Sequence, residues 1–105
     1  MRGIPALLAG ATALAASVVS PQPAAAAVGD FSYYTTAGQV TLIDPPDGSC
    51  DPLQDLWLGQ IIENNTNSTA LLYSVPSCAG SPQVIPPNGW LRTYRPVRAV
   101  LFVPS

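Results

Sequence analysis

The sequence predicts an all-β protein, a small β-sandwich of two repeated units closed by one disulfide. Three observations carry this expectation. Short runs rich in β-branched and aromatic residues, "GQVTLI" (38–43), "LGQII" (58–62), "TALLY" (69–73) and "RAVLFV" (98–103), are bounded by Gly, Pro, Asn and Asp clusters. Prolines recur so closely after Gly29 that no long helix fits between them. One proline turn is also written twice, as "LIDPPDGSC" (42–50) and "VIPPNGW" (84–90).

The first segment reads as a leader. Residues 1–27, "MRGIPALLAGATALAASVVSPQPAAAA", place Arg2 before an apolar stretch and end on an alanine run after Ser-Pro. That is the order of a secretory signal, with cleavage expected near Ala26 or Ala27. The alternative is a membrane anchor. The apolar stretch, about 16 residues interrupted by Gly10 and Thr12, is short for the ~20 that spanning needs. The expected product is a secreted domain over 28–105, with units about 29–63 and 64–105 and no membrane association after cleavage.

Such a domain lies near the lower size at which one core is enough. Its two cysteines, Cys50 and Cys78, read as a disulfide in an exported chain. Six acids (Asp30, Asp44, Asp47, Asp51, Asp55, Glu63) face three arginines after the leader, with no lysine or histidine. All three arginines fall between residues 92 and 98, and Arg92 and Arg98 are candidates to pair with an acid of the first half. Three cations do not make a nucleic-acid footprint. The one place for a helical turn is "DPLQDLWLGQ" (51–60), where Asp51 could cap and Pro52 could open it.

The repeat extends beyond the turn. Setting "FSYYTTAGQVTLIDPPDG" (31–48) over "YSVPSCAGSPQVIPPNG" (73–89), with Asp44 skipped, gives seven identities in seventeen positions. They include Gly38/Gly80, Ile43/Ile85 and Gly48/Gly89. Two copies of a unit of about 40 residues, neither able to bury its apolar face alone, would account for this.

The paired segments resemble the Greek-key signature of the βγ-crystallin superfamily, in which an aromatic is followed by a second ring and then glycine. "YSVPSCAG" is similar through Tyr73 and Gly80, with Cys78 where the second ring would stand. "FSYYTTAG" is similar more weakly through Phe31, Thr36 and Gly38. Residues 58–103, with "IIENNTNSTALLYSVPSCAG", "IPPNG" and "VRAVLFV", most resemble small secreted actinomycete proteins grouped with the metalloproteinase-inhibitor family. The resemblance implies two Greek-key units in one sandwich and the binding of a secreted peptidase. Departures are present: the serine before each unit's last strand is replaced by Gln60 and Ala99, and "RPVRAV" lacks the calcium-binding pattern. No metal or cofactor is therefore expected. "NNTNST" (64–69) is expected to be a polar inter-strand turn between the units.

Catalysis is not expected. Without histidine there is no Ser-His-Asp or Cys-His arrangement, and bridged cysteines supply no thiolate. Asp44, Asp47, Asp51 and Asp55 could form a carboxylate pair, but a domain this small leaves little room for a cleft. Binding readings remain, with the domain expected as a monomer. The first is a peptidase inhibitor whose rigid loop is Asp44, Pro45, Pro46, Asp47 and Gly48, tethered at Cys50, or the second turn with Trp90. The alternative is a carbohydrate- or surface-binding module using Trp57, Trp90 and Tyr94, and a third is a stable structural secreted protein. Trp57, between two leucines, is expected in the core, whereas core and surface both stay open for Trp90.

Overall fold

The computed structural model describes residues 26–105, so the expected leader lies outside the described residues except for its last two alanines. Eight strands run in chain order: β1 (Gly29–Thr35), β2 (Gly38–Ile43), β3 (Cys50–Pro52), β4 (Ile61–Thr66), β5 (Ser68–Tyr73), β6 (Gln83–Ile85), β7 (Gly89–Arg92) and β8 (Ala99–Pro104). They form two four-stranded antiparallel sheets, β2-β1-β4-β7 and β3-β8-β5-β6. All-β architecture and the Cys50–Cys78 disulfide are as the sequence predicts.

Period-two alternation places the core between the sheets. Phe31, Tyr33 and Ile62 come from the first sheet, and Ala70, Leu72, Ile85, Val100 and Phe102 from the second. The rings of Phe31 and Phe102 meet edge to face across the sandwich at 5.2 Å. Tyr33 is buried too, and its hydroxyl accepts the backbone N–H of Gln54 at 3.0 Å.

The β1–β2 hairpin turns through Thr36 and Ala37, with Gly38 at φ 127°. Thr35 Oγ1 donates to the Gly38 carbonyl at 3.0 Å and accepts the Ala37 N–H at 3.1 Å, which fixes the turn from inside. Gly29 is required on steric grounds. At φ 121°, a Cβ there would lie 2.1 Å from the Asn65 carbonyl oxygen, so any side chain drives β1 away from β4.

Each copy of the doubled turn performs the same task. Residues 44–49 carry the chain from β2, an edge of the first sheet, to β3, an edge of the second. Residues 86–88 carry it from β6, an edge of the second sheet, to β7, an edge of the first. Raising each label by four, counted cyclically through the eight strands so that β7 becomes β3, turns the order β2-β1-β4-β7 into that of the second sheet, read from β6 to β3. The aligned residues fall on these matched strands, Phe31 and Tyr73 on β1 and β5, Ile43 and Ile85 on β2 and β6, but the isoleucines do not match in facing. Ile43 is 69% exposed whereas Ile85 is 0% exposed, so the matched pair lies on opposite faces of its strands. Gly38 closes a two-residue hairpin, whereas Gly80 lies within the long β5–β6 connection.

Two local expectations need correction. Residues 51–60 hold no helical turn. Asp51 lies in β3 opposite Val100, and Leu53 N–H extends the contact to Arg98 O at 2.9 Å, so the non-local ladder overrides the local cap signal. Strand β4 begins at Ile61 rather than within "LGQ", because Gly59 (φ 84°) shapes a turn there. Strand β4 runs through residues 63 and 64, and the chain changes sheets at Asn67.

Candidate functional site

The crossing from β4 to β5 is polar, but half of its side chains face the interior. Along β4 and into β5, Ile62, Asn64, Thr66 and Ser68 all point inward and are buried. Passing between sheets over the single residue Asn67 strands backbone groups in the interior, where each needs a partner. Asn64 supplies most of them. Its Nδ2 donates to the carbonyls of Ser68 at 2.8 Å and of Ile85 and Pro86 at 3.1 Å each. Its Oδ1 accepts from Thr66 Oγ1 at 2.6 Å and from Thr66 N–H at 3.2 Å. One amide thus ties the β4–β5 crossing to the second proline turn. These side chains are committed inward, so Asn64 and Thr66 are not available to hold calcium. Calorimetric titration should accordingly show no binding tighter than about 10⁻⁵ M, the range of sensor sites.

The first proline turn is held by backbone. Ala27 N–H donates to Pro45 O at 2.9 Å, Asp44 N–H to Gly29 O at 2.8 Å, and Gly48 N–H to Phe102 O at 2.8 Å. Asp44 adopts φ 47°, and its Oδ1 accepts the Gly29 N–H at 2.8 Å. Ala26 bridges Pro46 and Ala27 is fully buried, so both alanines are built into this end of the domain.

The structure places the predicted loop residues unequally. Asp44, Pro46 and Gly48 are exposed, Pro45 is buried, and Asp47 is half-buried with one carboxylate oxygen enclosed and without a hydrogen-bond partner. Asp47 and Gly48 lie along Phe102 of β8. The loop is tied down by these bonds, with Pro45 and part of Asp47 turned toward the domain. Trp90 lies on β7, the edge of the first sheet opposite β2, where the loop begins.

Beside this loop, a groove of about 410 Å³ is lined by Leu42, Ile43, Pro45, Pro46, Pro52 and Asp51. Burial pushes the Asp51 carboxyl above its ordinary value. A raised carboxyl binds its proton more tightly in the folded state, so folding is favoured as pH falls through the folded value. The contribution is lost as pH rises through that window above about 4, the unfolded value. Asp51→Asn should flatten that part of the stability–pH curve, read from urea midpoints. An unchanged slope would show that Asp51 is fully hydrated.

The aromatic side chains separate into two groups. Phe31, Tyr33 and Phe102 are buried, whereas Trp57, Trp90 and Tyr94 are 51%, 64% and 72% exposed. Trp57 is therefore not in the core; Leu56, bridged to Thr35, packs against it instead. The exposed rings gather around the first sheet. Trp90 projects from β7 opposite Glu63 of β4. Trp57 N–H donates to Tyr34 O at 2.8 Å, Gly59 N–H to Thr93 O at 2.9 Å, and the Tyr94 ring lies over Gly59. A groove of about 230 Å³ on this side is lined by Tyr34, Gln60, Ile61, Glu63 and Arg92. Among the described residues Arg92 pairs with no acid; its Nη1 donates to Gly59 O at 2.7 Å, which braces the loop under Tyr94. Arg98 shares a groove wall with Asp55.

The fold and these surfaces define a small disulfide-tied, two-sheet all-β domain. No protein-family model, curated protein or solved structure matches the chain. Among the described residues, no helix is long and apolar enough to cross a membrane.

Proposed function

We propose that this is a secreted, non-enzymatic binding domain of two Greek-key units, and that its contact surface is the aromatic side of the first sheet. The unit reading is supported by the strand order, which repeats with a shift of four labels and meets at Asn67. The observation that carries the function is the exposure of Trp57, Trp90 and Tyr94, with Tyr34 39% exposed beside them, in a domain that buries Phe31, Tyr33, Tyr73 and Phe102. Exposed rings cost hydration and are kept where a ligand covers them. Their flat faces suit the C–H face of a sugar, and Glu63, Gln60 and Arg92 in the neighbouring groove offer acceptors and donors to hydroxyls.

A depletion assay on insoluble polysaccharides tests this reading. The protein should be drawn from solution by at least one polymer, and Trp90→Ala should weaken binding roughly ten-fold or more, as for a buried aromatic anchor. No depletion by any polymer, or binding indifferent to Trp57→Ala and Trp90→Ala together, counts against it.

The peptidase-inhibitor reading is the second, favoured by the tethering of residues 44–50. Four backbone and side-chain bonds plus Cys50 leave little of that loop to order on binding. Its signature is inhibition of a secreted metallo- or serine peptidase that is lost on reduction and survives Trp90→Ala.

A further inference from the structure

At the end of the sandwich, between the β5–β6 and β7–β8 connections, lies a cavity of about 340 Å³ that neither reading uses. Its floor is apolar, from Leu72 and Pro96, and its polar wall is Ser74, Ser81, Gln83 and Arg95. No carboxylate lines it, although acids outnumber arginines after the leader.

A short relay sets the polarity of that wall. Arg95 N–H donates to Thr93 Oγ1 at 3.1 Å, and Thr93 is buried. With its oxygen already accepting, the Thr93 hydroxyl donates onward to Gln83 Oε1 at 2.7 Å. The acceptor half of the Gln83 amide is thereby occupied, and its NH2 is the half left to a ligand. Among the described residues, the hydroxyls of Ser74 and Ser81 and the guanidinium of Arg95 have no hydrogen-bond partner. The unspent valences of the wall are thus an amide NH2, two hydroxyls that can turn to donate, and a guanidinium fork.

We infer that this cavity binds an oxyanion group: a carboxylate, sulfate or phosphate carried by a small molecule. A planar or tetrahedral oxyanion accepts from several converging donors at once, and the guanidinium supplies charge and bidentate geometry. A cation would be repelled by Arg95 with no carboxylate in the lining to offset it, and a neutral apolar ligand would leave the donors unpaired. The cavity exceeds the size of a free ion, so the remainder of the ligand would cover Leu72 and Pro96. No residue of the 44–50 loop and none of the exposed rings lines the cavity, so the inference stands whichever function the domain has.

Amide and side-chain NMR signals of the full chain, titrated with inorganic phosphate, sulfate and acetate at ionic strength held constant with sodium chloride, test the inference. Saturable shifts are expected at Ser74, Ser81, the Gln83 NH2 and Arg95 Nε. Arg95→Gln should weaken the response roughly ten-fold or more, the size of one lost charge-assisted contact, while Arg98→Gln leaves it unchanged. Arg95 is exposed, so its replacement does not endanger the fold; Ser74→Ala with Ser81→Ala is the second variant and should also weaken binding. A preference for phosphate and sulfate assigns a tetrahedral group, and a preference for acetate a carboxylate. Shifts that do not saturate, that spread equally over Arg92, Arg95 and Arg98, or that survive Arg95→Gln overturn the site.

Discussion

Asn64→Ala is expected to destabilise the domain by on the order of 3 kcal/mol or more, an unusually large effect for a polar residue. A domain of this size has only about 4–12 kcal/mol in total. The cost comes from what the side chain leaves behind. The carbonyls of Ser68, Ile85 and Pro86 would lose the amide that serves them, and Thr66 its acceptor, all at the centre of the crossing. Asn64→Leu fills the space better but removes the same amide. Ser68 O keeps the Thr66 hydroxyl at 3.2 Å, Pro86 O keeps the Gly89 N–H at 3.0 Å, and Ile85 O loses its side-chain donor, so this variant should be nearly as harmful. Asn64→Asp should be worse still, because a carboxylate would face carbonyl oxygens where the NH2 stood. Urea midpoints of the three variants supply the measurement. A leucine variant as stable as the parent would mean that the freed carbonyls find water or other donors.

That network was readable only in part from the chain. The composition of "NNTNST" says solvent, but Ile62, Asn64, Thr66 and Ser68 continue one inward row, and period two was the signal available. What the sequence lacked was any sign that the chain changes sheets there. Strands β2, β5 and β8 are locally patterned and were legible. β3 and β7 hold three and four residues, and their partners lie far along the chain, so no local period reveals them. The doubled turn predicted a real feature, since both copies are sheet-to-sheet crossings, yet the flanking identities misled. Ile43 and Ile85 match in letter and oppose in facing, because the two connections differ in length. Trp57 failed for a related reason: between Leu56 and Leu58, only position 56 reaches the core.

Replacing both cysteines by serine should lower the unfolding free energy by roughly 3–4 kcal/mol, the chain-entropy value for a loop of this length, whose mechanism is model-dependent. For a domain of this size, that is a fall of roughly 15–25 °C in midpoint. Cys50 and Cys78 are separated by 28 residues, and their bond spans two weakly held pieces. Strand β3 is a three-residue edge that pairs only with β8. Cys78 lies in the long β5–β6 connection at φ 56°, a conformation that non-glycine residues adopt at a cost. With the bond gone, β3 keeps its three pairings and the Leu53 contact, and Cys78 has little reason to stay left-handed. Loss should therefore begin at β3 and the β5–β6 connection, while β1, β4, β5 and β8, which carry most of the core, open last. Hydrogen exchange resolves the order: amides of residues 50–53 and 74–82 should lose protection first in the double variant, and those of 62–66 and 99–102 should follow the global midpoint. Midpoints within two or three degrees of the parent would mean that the core alone holds the sandwich and that the bond constrains little of the unfolded chain.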